Sequence, residues 1–432
     1  MKNVIVIGGG PAGMIAAGIA AANGASVILL EKNEKLGKKL YITGKGRCNL
    51  TNNTDIQGLL SQTISNPRFM QSAYNTFSPA DLIEFFENLG TPLKTERGNR
   101  VFPVSDKAED ITKTLARYMK KHGVKVELNC EVKNITTDGE KFTITTNKSI
   151  ILAHSVIIAT GGLSYPSTGS TGDGFKFAKN LSHTVTPTFP SIVPINVAEP
   201  WVAELTGLSL RNVCLTVRQP GQRPIYSEGS IAGLCPAERR GMGQRPIYNE
   251  LGEMLFTPTG VTGPLVLRAS AFITEKLADT TPLRLEIDLK PALSNEQLDA
   301  RILRDFAESQ NKNFANALDG LLPKRLISTV ITLSEIPPQI KVNAITKKQR
   351  QNLVSIVKAL PLTPTKTADY REAVITRGGI TVKEINPSTM MSKKHSGLFF
   401  AGEVLDVDAM TGGYNLQIAF STGFVAGKNA AK

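Results

Sequence analysis

Gly8, Gly10 and Gly13 stand in G-x-G-x-x-G spacing directly after the apolar run "NVIVI" and before "GMIAAGIAAANG", and Glu31 closes the next apolar run, "SVILLEK". Residues of these types at these intervals can hold a dinucleotide. A glycine at 8 permits the tight turn, one at 10 lets the main chain approach a pyrophosphate, and one at 13 lets the following helix pack on the sheet. The helix that Pro11 and Ala12 open offers free amides and a positive dipole to the phosphates. Glu31 is the expected acceptor for the adenosine ribose hydroxyls, with Lys32 beside it. The glycines alone are weak evidence, but strand, turn, helix, strand and terminal acid in order form a specific fingerprint. No second strand-GxGxxG-helix unit follows, which favours one tightly held dinucleotide over two separate sites; its identity stays open at this point.

A second stretch with chemical potential is "GKGRCNLTNN", residues 44–53. Lys45 and Arg47 can balance anionic charge, Gly44 and Gly46 let a main chain pass close to a ligand, and Asn49 can both donate and accept. A thiol placed as Cys48 is, beside two cations, either reactive or simply packed.

Other chemistries find little support. The four histidines, His122, His154, His183 and His395, are scattered and far from the cysteines, so metal catalysis and a histidine-based triad are not expected. Cys48, Cys130, Cys214 and Cys235 form no CxxC pair and read as reduced thiols. "GKKLYITGKG" lacks phosphate-loop spacing, and "GSIAG" lacks the first glycine of a nucleophile elbow. The formal charge of +13 is dispersed, and a nucleic-acid partner is disfavoured against a solvated basic surface that attracts anions. Glycines interrupt the N-terminal apolar run, which therefore reads as neither signal peptide nor membrane span, and a cytoplasmic location is expected.

These residues need elements to position them. "SVIIATGG" (155–162) and "GLFFAGEVLD" (397–406) read as buried strands completing the sheet begun at residue 3. Ala159, Thr160 and Gly161 end the first, and Gly402 and Glu403 lie in the second. "MTGGYNLQIAFSTGFVAGKNAA" supplies Gly412 and Gly413 before a small-residue helix beginning near Tyr414, a second helix N-terminus aimed at the site. "KVELNCEVKNITTDGEKFTITTNKSIILAHSV" alternates as β-hairpins. The stretch from "LSNEQLDARIL" onward is helical in period and opens with the cap-like pair Ser294 and Gln297, and "TKKQRQNLVSIVKAL" adds another helix.

"GKKLYITGKGRCNLTN", "RVFPVSDKAEDI", "ATGGLSYPSTGSTGDGF", "GEMLFTPTGVTGP" and "GLFFAGEVLDVDAMTGGYNLQIAFSTG" together resemble, in order and over nearly the whole chain, the blocks of the HI0933-like flavoprotein family. The resemblance implies an α/β fold: a Rossmann-like FAD-binding domain split between residues 1–195 and 370–432. It also implies an inserted β-barrel-like substrate domain, 196–285 plus 335–369, and a helical subdomain, 286–334. It implies noncovalent FAD, with the 44–49 loop on the flavin side, Glu403 on the ribityl hydroxyls, and Gly412, Gly413 and Asn415 by the pyrimidine edge. Lys39, Gly46, Arg47, Cys48, Asn49, Val132, Tyr414 and Gln417 join the expected cofactor set. The dipole of the tail helix would face the reduced ring. NADH or NADPH is the expected transient reductant and a small organic molecule the expected substrate, of either a reductase or an oxidase reoxidised by oxygen, with Tyr165, Lys45 and Arg47 as candidate catalytic groups. An RNA-modifying flavoprotein and a flavin-binding protein without turnover are the alternatives.

Two blocks depart from the family pattern. Pro258 and Thr259 replace a histidine-containing pair, so no proton-transfer role of a histidine carries over there, and Met391 replaces an acid; the substrate class does not carry over with these changes. The chain also repeats itself, "GQRPIYSE" (221–228) returning as "GQRPIYNE" (243–250), which reads as a local tandem duplication forming a surface insertion.

Overall fold

The computed structural model describes residues 1–220 and 246–432. The first repeat and the first three residues of the second therefore lie outside the described residues. The chain separates into two compact units, Met1–Ser191 with Asp369–Lys432, and Ile192–Ala368.

The first unit is built on a five-stranded sheet, ordered Leu398–Phe400, Ser155–Ile158, Asn3–Ile7, Ser26–Leu30 and Lys125–Glu127, with every pairing parallel. Parallel strands covered on both faces read as continuous apolar runs, and Val4, Ile5, Val6 and Ile7 are accordingly all buried. Sandwiched between sheet and helices, the helix Pro11–Ala22 buries every residue from Ala12 to Ala20 and carries small side chains almost all round. The tail helix Tyr414–Ala430 packs on it backbone to backbone. A Cβ added at Gly423 would lie 2.4 Å from the Ala12 carbonyl oxygen, and one at Gly427 2.4 Å from that of Ala16. Strands Val132–Thr137, Phe142–Thr146 and Ile150–Ala153 form the expected antiparallel meander, whereas Lys125–Glu127 joins the parallel sheet instead.

The second unit holds a seven-stranded antiparallel sheet. Its two terminal strands, Leu360–Leu362 and Pro364–Thr367, are separated by Thr363 alone, so the sheet curls until its ends nearly meet. No ladder between them closes it among the described residues, so the expected β-barrel-like unit is a curled sheet without closure. Strands Ser209–Arg218 and Tyr248–Thr257 pair with Val217 opposite Tyr248, so the end of the second repeat lies in a sheet strand. Helices Asn295–Ala307, Lys324–Ser334 and Lys347–Lys358 share one core with the sheet through Leu298, Val330 and Leu353. Ser294 and Gln297 form the anticipated capping box, and Thr346 and Gln349 form another. No helix among the described residues is long and apolar enough to cross a membrane.

Candidate functional site

A cavity of about 600 Å³ lies wholly within the first unit, where the carboxyl ends of the parallel strands meet two helix N-termini. That is where open α/β sheets bind ligands. Gly10 is the N-cap of Pro11–Ala22 and Gly413 that of Tyr414–Ala430, both line the cavity, and neither helix has a side-chain cap. The free amides of both first turns therefore bear on one space.

Each glycine of the fingerprint has a separate role. Gly8 sits at φ +105°, and a Cβ there would lie 2.5 Å from the Ala159 carbonyl oxygen. A Cβ at Gly13 would meet the Gly8 carbonyl at 1.9 Å, so this glycine packs helix on turn and does not line the cavity. A Cβ at Gly10 would meet nothing within 4 Å; the residue faces open cavity, a cradle that a side chain would fill. Two buried acceptors in the cavity wall, Asn49 Oδ1 and Thr160 Oγ1, have no protein partner. Orphaned buried polar atoms require an outside partner, and a polar dinucleotide fits the cradle, the amides and these atoms together.

Glu31 is buried and already engaged. Its Oε2 accepts from the Gly9 amide at 2.7 Å, and its Oε1 accepts from the Asn33 amide and side chain at 2.8 and 2.7 Å. The carboxylate is thus held in place, with acceptor capacity left on Oε2. Lys32 pairs with Asp173 at 2.6 Å. Val132, with Cys130, lines the same end of the cavity.

Glu403 is the centre of a network that joins three distant stretches of chain. Oε2 accepts from Lys39 Nζ at 2.6 Å, and Oε1 accepts from the Ser164 hydroxyl at 2.6 Å and the Thr376 amide at 2.8 Å. Thr376 Oγ1 in turn accepts from the amides of Leu163 and Ser164 at 2.7 and 3.0 Å. Tyr165 follows immediately in the left-handed region, at φ +54°, lining the cavity with Lys39 Nζ 6.0 Å from its ring centre. Thr376 and Ser164 escape sequence reasoning because a buried threonine in a short strand carries no motif.

Within the 44–49 loop, Gly44, Lys45 and Asn49 line the cavity, and Gly46, Arg47 and Cys48 do not. Arg47 is turned away from the cavity toward Glu96 and Asp106, at 2.5 and 2.6 Å, with its guanidinium 4.2 Å above the Phe102 ring. Cys48 is fully buried; burial pushes its thiol up to about 12, against a hydrogen bond from Thr43 that lowers it. Cys48 and Cys130 are free, whereas Cys214 is disulfide-bonded, which corrects the expectation of reduced thiols at that position; Cys235 lies outside the described residues.

In the tail, Gly402, Gly412, Gly413 and Asn415 line the cavity, and Tyr414 and Gln417 do not. The Asn415 side chain closes its own loop, accepting from the Ala409 amide at 2.9 Å and donating to the carbonyls of Ala409 and Met410. Gln417 is buried on Thr51 and on the Phe77 carbonyl.

One histidine stands in a constellation that the sequence did not suggest. His183 Nδ1 lies 2.9 Å from Glu384 Oε2 and its Nε2 lies 2.9 Å from Ser392 Oγ. Ser392 Oγ also accepts from the amides of Lys394 and His395, so its proton goes to His183. The His183 ring is fully buried and Ser392 nearly so, outside the cavity lining, which makes the trio a fastener between tail and body rather than a nucleophile. Among the described residues no cluster of His, Cys, Asp and Glu could hold a metal.

A sequence profile described as the HI0933-like protein Rossmann domain matches residues 2–429. The chain belongs to the HI0933-like family. It is 29% identical over 435 residues, all of both chains, to a 3-dehydro-bile acid delta(4,6)-reductase of Clostridium scindens. It is 30% identical over 428 residues, 99% of this chain and 97% of the other, to a ribosomal RNA dihydrouridine synthase of Escherichia coli. A protein of the same name from Haemophilus influenzae is 32% identical over 97% of this chain and 96% of its own. Among solved structures, a 3-ketosteroid-delta4-(5alpha)-dehydrogenase from Rhodococcus jostii shares the fold, with a TM-score of 0.51 at 16% identity, over 100% of this chain and 97% of that one.

Proposed function

We propose that this HI0933-like protein is an FAD-dependent reductase that adds hydrogen across a ring carbon–carbon double bond conjugated to a carbonyl, with NADH or NADPH as electron source. The observation that carries the reading is the cavity in which two uncapped helix N-termini, the Gly10 cradle and Glu31 converge. The names of the relatives bear on the reaction class. A 3-dehydro-bile acid delta(4,6)-reductase and a dihydrouridine synthase both act, by those names, on a double bond within reach of a ring carbonyl.

Bound FAD would supply a two-electron hydride store. The protein's part is to hold and to protonate. The amides of Gly10 and Ala12 would take the diphosphate, Glu31 the ribose, Asn49 Oδ1 a ligand donor, and the Thr160 hydroxyl a ligand donor or acceptor. Hydride delivered to the β-carbon leaves negative charge on the carbonyl oxygen, and the α-carbon then needs a proton. In this reading the donor is the phenol of Tyr165, which lines the cavity, and exposed Lys45 stabilises the charge.

The test is direct. The purified protein should be yellow and release FAD on denaturation, and a Gly10→Val variant should fold yet retain no FAD, because its side chain enters the cradle. Mixed with NADH or NADPH under nitrogen the flavin should bleach, and admitted air should restore it slowly. FMN in place of FAD, or a flavin that dithionite reduces and no nicotinamide does, would overturn the proposal.

A further inference from the structure

A second, smaller cavity of about 210 Å³ lies in the first unit and shares no lining residue with the one at the strand ends. One wall is a face of the helix Ala108–Lys121, where Asp110, Lys113, Thr114 and Arg117 recur at helical spacing. Across from them stand Thr91, in the turn after the helix Pro79–Asn88, and Ser105, just past the strand Arg100–Pro103. The hydrogen bonds in this cavity do not balance. Thr91 and Thr114, 4% and 2% exposed, share one bond, Oγ1 to Oγ1 at 2.5 Å, and the Arg117 guanidinium donates to Thr114 Oγ1 at 3.0 Å. Two hydroxyls carry two protons, and the shared bond uses one of them, whichever residue gives it. The other proton has no acceptor among the described residues, and a buried donor left so is costly. The charges are unmatched as well. Lys113 is paired with Glu109 at 2.8 Å, but Arg117 meets no described carboxylate and Asp110 no described cation at ion-pair distance.

We propose that this cavity is a binding site for a free hydrogen phosphate ion, held by Arg117 and the spare threonine proton and recognised through its own proton by Asp110. The donors call for an oxyanion. A guanidinium with one N–H spent on Thr114 keeps a fork for two oxygens, and the leftover hydroxyl proton supplies a third bond that water-exposed cations alone would not. Asp110 narrows the class. It is the one carboxylate in the described lining, it can only accept when ionised, and it would repel any anion that had no proton to give it. Sulfate and carboxylates carry none at neutral pH, and a phosphate monoester sheds its last one at about pH 6. Inorganic phosphate keeps one. The volume is that of about seven waters at their liquid share of roughly 30 Å³ each, room for a tetrahedral ion and a few waters.

The FAD-loaded protein, with the larger cavity filled by its cofactor, is titrated by calorimetry with inorganic phosphate, sulfate and methyl phosphate at about pH 7.5 and fixed ionic strength. Phosphate should bind in one saturable event, and the other two roughly tenfold or more weakly. Arg117→Gln should weaken phosphate about tenfold or more, through loss of the charged fork. Thr91→Val with Thr114→Val removes both hydroxyl protons together, so the fold should tolerate it, as circular dichroism and denaturant unfolding would report, while phosphate affinity falls severalfold. Asp110→Asn should admit sulfate as tightly as phosphate, because an amide can donate where the carboxylate only accepts. FAD content read on the same samples reports the flavin reading separately, since the two cavities have no lining residue in common. No saturable phosphate binding, sulfate or methyl phosphate equalling phosphate in the parent, or any of these variants titrating like the parent would overturn the site.

Discussion

Tyr165 occupies a left-handed conformation that a bulky residue adopts only when its surroundings impose it. Here the imposing groups are Thr376, which gathers the two preceding amides, and the Tyr370 carbonyl, which accepts from the Tyr165 amide at 2.9 Å. Tyr165→Phe should slow substrate reduction by about 100-fold if the phenol is the proton donor, while FAD content and reduction by nicotinamide stay as in the parent. Unchanged turnover would leave the tyrosine a structural part of the wall. Cys48 presents the opposite case. Between the reactive and the packed thiol that the sequence leaves open, packing prevails, because Arg47 is committed to carboxylates and burial dominates. Sequence neighbours do not reveal which charges remain free.

At the level of elements, the parts with strong local signals were legible. The strand, glycine turn and helix at the N-terminus, the tail helix from Tyr414 and the Ser294 cap are all where spacing and residue type put them. What was illegible depends on residues far apart in the chain. The family resemblance implies a ribityl role for Glu403, but not that three of its hydrogen bonds come from residues 39, 164 and 376, which no local pattern links. The curled sheet likewise turns on whether two end strands pair, which alternation does not encode. The helix contact at Gly423 and Gly427 invites a measurement. Gly427→Val would drive a β-branched side chain into the Ala16 main chain, and a loss of about 3 kcal/mol or more in denaturant unfolding is expected; a loss under about 1 kcal/mol would show that the helices can separate cheaply.

The fastener around His183 gives this region a pH dependence. Burial holds the imidazole below its ordinary 6.5, against the raising effect of Glu384, while Lys394 and His395 oppose its charge further. Burial also opposes ionisation of Glu384, but the bonds from Lys394, Thr184 and His183 prevail and bring it down to about 2. Both groups bind fewer protons folded than unfolded, so their stabilisation is complete above the ordinary pKa and is lost as pH falls. Thermal unfolding should therefore occur at progressively lower temperature as pH drops below 6.5, and again below about 4.5. His183→Gln should flatten the first decline and spare the second. A variant whose pH profile matches the parent would remove the histidine from the account.

At the scale of the whole molecule, the first unit is closed by chain that lies beyond the second. Its sheet lacks an edge strand until Leu398–Phe400 arrives, and its cavity lacks a wall until Gly402–Asn415 does. Truncation after residue 395 should abolish FAD retention while leaving the seven-stranded unit folded, as judged by limited proteolysis and flavin release. Full cofactor retention by the truncated chain would refute the split architecture.

The interruption also has a consequence for biogenesis. During synthesis the N-terminal segment emerges first but cannot finish its sheet, whereas the inserted unit, continuous from Ile192 to Ala368, has all its strands as soon as it leaves the ribosome. At about 5–20 residues per second the unfinished segment waits many seconds with the apolar edge of Ser155–Ile158 unpaired. Pairings so distant in sequence form slowly and expose aggregation-prone edges meanwhile. Nascent chains of this protein are therefore expected to need a holding chaperone at the stage when the insertion is already native, and to acquire flavin only after release.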